Sequence, residues 1–481
     1  MPARFLRLAS GPVLFALTLV LGTDLPAAER QVLAVALWMM AWWLTEAVPL
    51  AATSLLPMLL FPTLGTVPFP KIATGYANEL IFLFLAGFLL AAALESWRAH
   101  ERLALALVSR AGGDSRRIIL GVMVATGFLS MWISNTATAA MMYPIAMAIG
   151  ALFGWDSAGS QARTALMLGV AYAASIGGMG TLIGTPPNLI LAASAEQLAG
   201  RSIGFGEFML LGVPMVLVLL PACWVVLVYL LFPGNVTLGT DARHLLQDRR
   251  AALGPLAGGE RAVIAVFGVT AAAWLLRENK DFGSFHLPGL TDLLPGLTDT
   301  GIGLAGALLM FVLHAPGAEG QSRPLLRWRE AREIPWDVLL LFGGGLALAS
   351  AMESSGLTSH LAGQLTLLKG TPPVVIELGL AVLVLLLSEL ASNTAVAAMA
   401  MPLAATLALA TGQPPLTLLL VTGFAASTGF ALPIATPPNA IVFGSGQVRV
   451  GQMFRAGFLL DVLAVLVIVG LLNLLIPLVV G

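Results

Sequence analysis

Polar positions are scarce along this chain, and they fall in short groups between long apolar runs. Runs of this kind signal helices that cross a bilayer, which takes about 20 residues. Those at 10–26, 31–48, 50–66, 78–97, 164–198, 207–232, 261–276, 297–315, 338–354, 416–446 and 456–479 predict about 11 transmembrane helices. Two more apolar stretches, about 118–150 and 373–411, are too long for one simple helix and are interrupted in the middle.

Arginine placement sets the expected orientation, because cytoplasmic loops carry the excess of Lys and Arg. One group is Arg98, Arg102, Arg110, Arg116 and Arg117, and a second is Arg243, Arg249 and Arg250. Arg323, Arg327, Arg329 and Arg332 form a third, and Arg449 with Arg455 a fourth. With Arg4 and Arg7 they put the N-terminus and all four groups in the cytoplasm. Arg4 and Arg7 before Leu14–Leu21 also resemble a signal peptide, but no soluble domain follows, so an uncleaved first helix is expected.

The runs 164–198 and 207–232 then form an out-and-back pair ending at the Arg243 group. Stretch 118–150 must therefore cross an even number of times, as a re-entrant hairpin opening to the cytoplasm. The same reasoning run backward from Arg449 makes 373–411 a hairpin opening to the outside. Five crossings separate the two hairpins, so they enter from opposite faces. The expected fold is an all-α integral membrane protein with two inverted halves, 1–240 and 261–481, joined by a cytoplasmic linker at 241–260.

Composition agrees with a bilayer protein. Charged residues make up 10% of the chain, against about 25% for soluble domains. A formal charge of −1 with a few clustered cations leaves no basic stripe for nucleic acid. The one cysteine, Cys223, excludes an intramolecular disulfide and any CxxC site.

The interrupted stretches carry near copies of one motif. Ser134-Asn135-Thr136-Ala137-Thr138-Ala139-Ala140-Met141 recurs as Ser392-Asn393-Thr394-Ala395-Val396-Ala397-Ala398-Met399, and Pro144 matches Pro402. A second motif follows each: Thr185-Pro186-Pro187-Asn188, then Thr436-Pro437-Pro438-Asn439. Two motifs repeated in the same order mark an internal repeat with broken helices, a common construction of secondary transporters.

Pro-Pro inside an apolar run removes two N–H donors and bars the preceding residue from helical geometry. The helix is expected to break at Gly184-Thr185 and at Ala435-Thr436. In hydrocarbon such a break is tolerated only where it lines a polar or protein-filled cavity. Freed carbonyls there can coordinate a cation, and half-helix N-termini can face an anion. Ser, Asn and Thr add oxygen ligands and donors without a buried charge. Taken singly, a Ser-Asn-Thr tip can be a turn cap and Pro-Pro a kink; the pairing of both motifs argues for a site.

The stretches 118–150, 164–198, 373–411 and 416–446 contain no Lys, Arg or His. An anion bound among them needs compensation beyond helix dipoles, which supply about half a charge per end. Co-bound cations are the natural remainder, and neutral oxygen cages suit Na+ better than a proton. His100, His244, His286, His314 and His360 lie in loops or near span ends and form no relay or HExxH motif. A membrane-embedded enzyme would need a nucleophile–base pair or a metal cluster. Glu46, Glu79 and Glu389 lie in or beside spans, where acids are costly. They read as proton-coupling groups or as carboxylates satisfied by nearby donors. Gly343-Gly344-Gly345 lacks the context of a phosphate loop and reads as close helix packing.

These residues resemble the divalent anion/sodium symporter family, whose members carry di- and tricarboxylates or sulfate. The resemblance rests on both Ser-Asn-Thr tips and on the entry segment Trp42-Trp43-Leu44-Thr45-Glu46-Ala47-Val48-Pro49. It rests also on Ala426-Ser427-Thr428-Gly429-Phe430-Ala431-Leu432-Pro433-Ile434-Ala435, continuing through Asn439-Ala440-Ile441-Val442. It implies one sodium site at Ser130, Ser134, Asn135 and the carbonyl of Gly184. It implies another at Ser388, Asn393 and the carbonyls of Ala391 and Ala435. Ser388 is a hydroxyl residue where some relatives carry threonine. Substrate carboxylates would meet Asn135, Thr136, Thr185, Asn393, Thr394, Thr436 and Pro437.

The resemblance further implies a homodimer in a bacterial inner (plasma) membrane, working as an elevator with a moving transport domain. Na+ is then the co-transported ion and a C4 dicarboxylate such as succinate, fumarate or malate the expected cargo. Sulfate, citrate and sodium-independent exchange are the alternatives. A channel would more typically show charged rings or carbonyl filters.

Overall fold

The computed structural model describes residues 2–108, 114–152, 155, 160–233, 254–281, 286–316 and 321–479. Arg110, Arg243, Arg249, Arg250 and residues 241–253 of the expected linker lie outside them. The chain is mostly helical. In order come α1 (Pro2–Leu21), α2 (Ala27–Thr45), α3 (Leu50–Thr53), α4 (Leu56–Thr63), α5 (Phe69–Tyr76), α6 (Glu79–Ser96) and α7 (Ala99–Val108). Next are α8 (Ser115–Ser130), α9 (Asn135–Leu152), α10 (Gln161–Gly178), α11 (Pro186–Ala199) and α12 (Phe205–Val225), the last continued by a π turn over Val226–Leu231. Then follow α13 (Gly258–Leu275), α14 (Asp299–Val312), α15 (Trp328–Ala331), α16 (Trp336–Ser355) and α17 (Leu357–Gln364). The chain closes with α18 (Pro373–Leu390), α19 (Asn393–Thr411), α20 (Pro415–Ala426), α21 (Pro437–Gly444) and α22 (Val450–Val479). Two small antiparallel ribbons pair 280–281 with 286–287 and 314–316 with 322–324.

Eight helical segments among the described residues are long and apolar enough to cross a membrane; six of them match runs among the 11 read from hydropathy, and two are the arms of stretch 373–411. The difference has a local cause. Runs 164–198 and 416–446 are each split by a non-helical segment, 179–185 and 427–436. Run 50–66 divides into α3 and α4, with Pro57 in the first turn of α4, where a missing N–H costs nothing. Stretches 118–150 and 373–411 are each two helices joined by a short turn, α8–α9 and α18–α19.

The succession from α8 to α12 recurs from α18 to α22, and the two sets interlock. Helix α11 packs on α19 and α20, while α21 packs on α9 and α10. Among the remaining helices α1 packs on α2, α6 on α14, and α5 and α2 on α16, while α7 packs chiefly on α8 and α17 on α19. Small residues allow the closest crossings, as in membrane bundles generally. A Cβ on Gly177 of α10 would collide with the Gly127 backbone of α8, and one on Gly344 would stand 2.6 Å from the Ser54 carbonyl. The triple glycine thus serves helix packing.

Candidate functional site

The tip of each helix pair is fixed by a serine at the end of the first arm. Ser130 Oγ lies 2.6 Å from the Ala174 carbonyl and 2.8 Å from Asn135 Oδ1. Ser388 Oγ makes the same pair of contacts, 2.8 Å from the Ala426 carbonyl and 2.8 Å from Asn393 Oδ1. Both serines are fully buried. A hydroxyl carries one proton, so it satisfies one of its two acceptors at a time. Each tip therefore holds a knot of oxygens with more lone pairs than protons, the donor chemistry that attracts a hard cation.

The breaks begin where α10 and α20 stop and end where the Pro-Pro pairs open α11 and α21. Proline suits that first turn because its N–H would be orphaned anyway. Behind each break an asparagine ties the loop to the new helix. Asn188 Nδ2 donates to the carbonyls of Gly178 at 2.8 Å and Thr181 at 2.7 Å. Asn439 Nδ2 donates to Gly429 at 3.2 Å and Leu432 at 3.0 Å. The sequence marks these residues only as members of a motif, and the fold gives each a bracing role. Glycine at 178 leaves room for the tip, since a Cβ there would collide with the Asn135 side-chain oxygen.

Tips and breaks meet around one cavity of about 1210 Å³. Its wall includes Ser134, Asn135, Thr136, Gly184, Thr185, Ala391, Asn393, Thr394, Ala435, Thr436 and Pro437. Ser130 and Ser388 stand behind the wall and touch the tip asparagines. The expected sodium and substrate residues are thus gathered at one place, whereas Glu79 and Glu389 are not on the wall. The first turns of four helices, α9, α11, α19 and α21, line this cavity. Their peptide dipoles place partial positive charge there; the Pro-Pro pairs leave α11 and α21 without N–H groups at their first two positions, and Asn439 N is held by Thr436 Oγ1.

Among the described residues three charged side chains, Arg7, Glu46 and Asp337, also line it, and all three are exposed. They belong to the mouth. Sequence reasoning marks Arg7 only as a topological cation. Its place here depends on the packing of α1 against α2, where Trp42 Nε1 donates to the Leu8 carbonyl at 3.1 Å. No local pattern around Arg7 carries that information. Glu389 is buried, and each of its oxygens accepts a backbone N–H at 2.8 Å, from Ala431 and Leu432. That is the satisfied-carboxylate alternative.

Gly200-Arg201-Ser202-Ile203-Gly204 matches the Gly-x-Ser-x-Gly string of hydrolases. That motif works on a strand-to-helix turn, whereas here it joins α11 to α12, with an exposed Ser202 and with Arg201 paired to Glu207. It builds no nucleophile.

Residues 7–480 match the family model described as the sodium:sulfate symporter transmembrane region. A sodium-dependent dicarboxylate transporter, SdcS, of Staphylococcus saprophyticus is 40% identical over 480 residues, covering 98% of this chain and 91% of that protein. The SdcS of Staphylococcus aureus is 39% identical over 488 residues, covering 99% and 92%. Among solved structures, the YdaH transporter of Alcanivorax borkumensis superimposes with a TM-score of 0.58 at 16% identity, covering 85% of this chain and 88% of that one. MtrF of Neisseria gonorrhoeae gives 0.54 at 14% identity, covering 84% of each. At such identities the two structures speak for the fold alone.

Proposed function

This chain belongs to the sodium:sulfate symporter family, and from that premise we propose that it is a secondary transporter importing a C4 dicarboxylate, such as succinate, together with Na+. One observation carries the reading: four helix N-termini and two serine–asparagine oxygen knots converge on a single cavity. Partial positive charge at these dipole ends suits an anion, and co-bound Na+ supplies the rest of its compensation. Each repeat offers one Asn-Thr pair, so the site has two similar poles and suits a molecule with a carboxylate at each end. The two relatives named above as dicarboxylate transporters favour this cargo over sulfate.

In this reading Asn135, Thr136, Thr185, Asn393, Thr394, Thr436 and Pro437 hold the carboxylates. One sodium ion sits among Ser130, Ser134, Asn135 and the Gly184 carbonyl. A second sits among Ser388, Asn393 and the carbonyls of Ala391 and Ala435. The two tips are re-entrant hairpins from opposite faces, and the halves of the repeat are inverted. The α8–α12 and α18–α22 set moves as a body against the rest of a homodimer in the plasma membrane, with the N-terminus cytoplasmic. The exposed Glu46 and Asp337 outnumber Arg7 among the described charges at the mouth and favour sodium entry there.

Uptake by proteoliposomes in sodium against choline buffer tests the coupling. Sodium should be required, with a sigmoidal dependence reflecting more than one ion. Equal uptake in choline would replace the symporter by an exchanger. In the same assay excess fumarate or malate should suppress succinate uptake while sulfate leaves it intact; the reverse order of inhibition would make sulfate the cargo.

The moving-body model has its own measurement. Ala140→Cys and Leu390→Cys, made in a Cys223→Ser background, both fall on the cavity wall. Their labelling rates should change several-fold on adding sodium and succinate. Identical rates in every condition would count against a moving domain.

A further inference from the structure

The two breaks are not built alike. In the first, Met179 N donates to the Ile176 carbonyl at 3.1 Å and Gly180 N to Gly177 at 2.9 Å. The chain thus leaves α10 through a tight turn that satisfies its own donors. In the second, Ser427 N and Thr428 N do likewise, each at 3.1 Å, but Gly429 then takes a φ of 132°. That conformation is open to glycine, and it turns the next three N–H groups away from the helix. Buried donors need acceptors.

Those acceptors come from other helices. Phe430 N donates to Asp461 Oδ1 at 3.1 Å, Ala431 N to Glu389 Oε1 and Leu432 N to Glu389 Oε2, the last two at 2.8 Å. Asp461 is 4% exposed and its carboxyl group neighbours that of Glu389. Three consecutive N–H groups are therefore held by two buried carboxyl groups, one from α18 and one from α22.

The close approach itself is shared by both halves. A Cβ on Gly457 of α22 would collide with the Phe430 carbonyl, and one on Gly212 of α12 with the Met179 carbonyl. Four residues after these glycines stand Asp461 in the second half and Val216 in the first. Four residues before the tip asparagines stand Glu389 and Met131. The acids are peculiar to the second break.

We propose that Asp461, with Glu389, is a positioning residue for the second sodium site. It pins residues 430–432, and the Leu432 carbonyl in turn accepts from Ala435 N at 3.2 Å and from Asn439 Nδ2 at 3.0 Å. The strap thereby sets where the Ala435 carbonyl stands relative to Asn393. The inference rests on the sodium-coupled reading above and adds that one of two otherwise matched sites depends on a strap of carboxyl groups. The other has no acid strap: backbone turns, Asn188 and a hydrogen bond from Thr181 Oγ1 to the Met131 carbonyl hold its break.

The test uses the full-length protein in proteoliposomes and reads the sodium concentration for half-maximal succinate uptake. Asp461→Ala removes the acceptor of a buried N–H and should raise that concentration roughly tenfold while lowering the Hill coefficient toward one. Asp461→Asn keeps an oxygen for Phe430 N and should stay within about threefold of wild type. Val216→Ala, the counterpart in the first half, should leave the half-saturation unmoved even if less protein folds.

An Asp461→Ala variant that loses only maximal rate would overturn the proposal. So would an Asp461→Asn variant as impaired as the alanine, since charge and not the hydrogen bond would then matter. If Asp461→Ala yields no folded protein, Gly457→Ala decides: raised half-saturation supports the strap and an unchanged value removes it. Wild-type uptake indifferent to sodium would instead refute the symport reading itself.

Discussion

Asn135→Ala and Asn393→Ala should each lower sodium-dependent uptake by about tenfold to a hundredfold while leaving the protein folded. Each asparagine stands at the first position of its helix, on the cavity wall, with its side-chain oxygen 2.8 Å from a buried serine hydroxyl. In the proposed mechanism that oxygen faces a sodium ion and the amide group faces a substrate carboxylate. A hydrogen bond to a charged group contributes roughly 1.5–3 kcal/mol, which is about a tenfold to hundredfold effect. Alanine removes both contacts at once, and Glu389, the charged neighbour of the second tip, is already held by the N–H groups of Ala431 and Leu432. Folding should persist because Asn135 and Asn393 are half-buried wall residues and the serines keep the carbonyls of Ala174 and Ala426 as partners. Uptake and size-exclusion profiles of the two variants check this. Near-normal transport by both would reduce the tips to helix caps.

The sequence makes the local features of this fold legible and leaves the distant ones dark. Pro186-Pro187 and Pro437-Pro438 announce their breaks because proline acts on its own backbone and on the residue before it; the helices duly restart at Pro186 and Pro437. The tips are legible for a related reason. The interruption around Ser134-Asn135 and Ser392-Asn393 lies in the residues themselves, and its repetition makes it readable. Hydropathy, by contrast, overstates continuous spans, because an averaged apolar run does not register the unwound segment inside it.

Contacts between remote segments follow a different logic. Arg7 reaches the cavity only through the packing of α1 on α2. Asp461 carries a visible signal, an acid inside an apolar run, yet its partner Phe430 lies 31 residues away. Nothing in the string tells whether that acid faces a proton path, a cation or three stranded N–H groups. Gly429 and Gly178 illustrate the same limit. Both read as glycines near a break. One is required for its backbone angle and the other for the space beside it.

That distinction yields the sharpest structural prediction. Gly178→Ala should cut uptake by at least about tenfold, because its Cβ would occupy the place of the Asn135 side-chain oxygen. Asn135 cannot simply swing away: its oxygen meets Ser130, and the Gly178 carbonyl is itself tied by Asn188. Overpacking of this kind typically costs about 1–3 kcal/mol, and here it falls on the ligand geometry. Gly429→Ala should fail by another route. The nearest atom to a Cβ there is 3.5 Å away, which is ordinary contact, but the φ of 132° is denied to alanine. Its loss should appear chiefly as a lower melting temperature of the detergent-solubilised protein, with uptake falling in proportion to the folded fraction. Gly200→Ala supplies the control: its φ of 64° is also left-handed, but open space surrounds it and it lies outside the cavity wall. It should cost about 1–2 kcal/mol of stability with transport per folded molecule unchanged. Sodium titrations and thermal melts of the three variants separate the mechanisms. Should Gly178→Ala transport like wild type with an unaltered sodium titration, the oxygen of Asn135 does not stand against α10 during transport, and the first cation site must be built from other atoms.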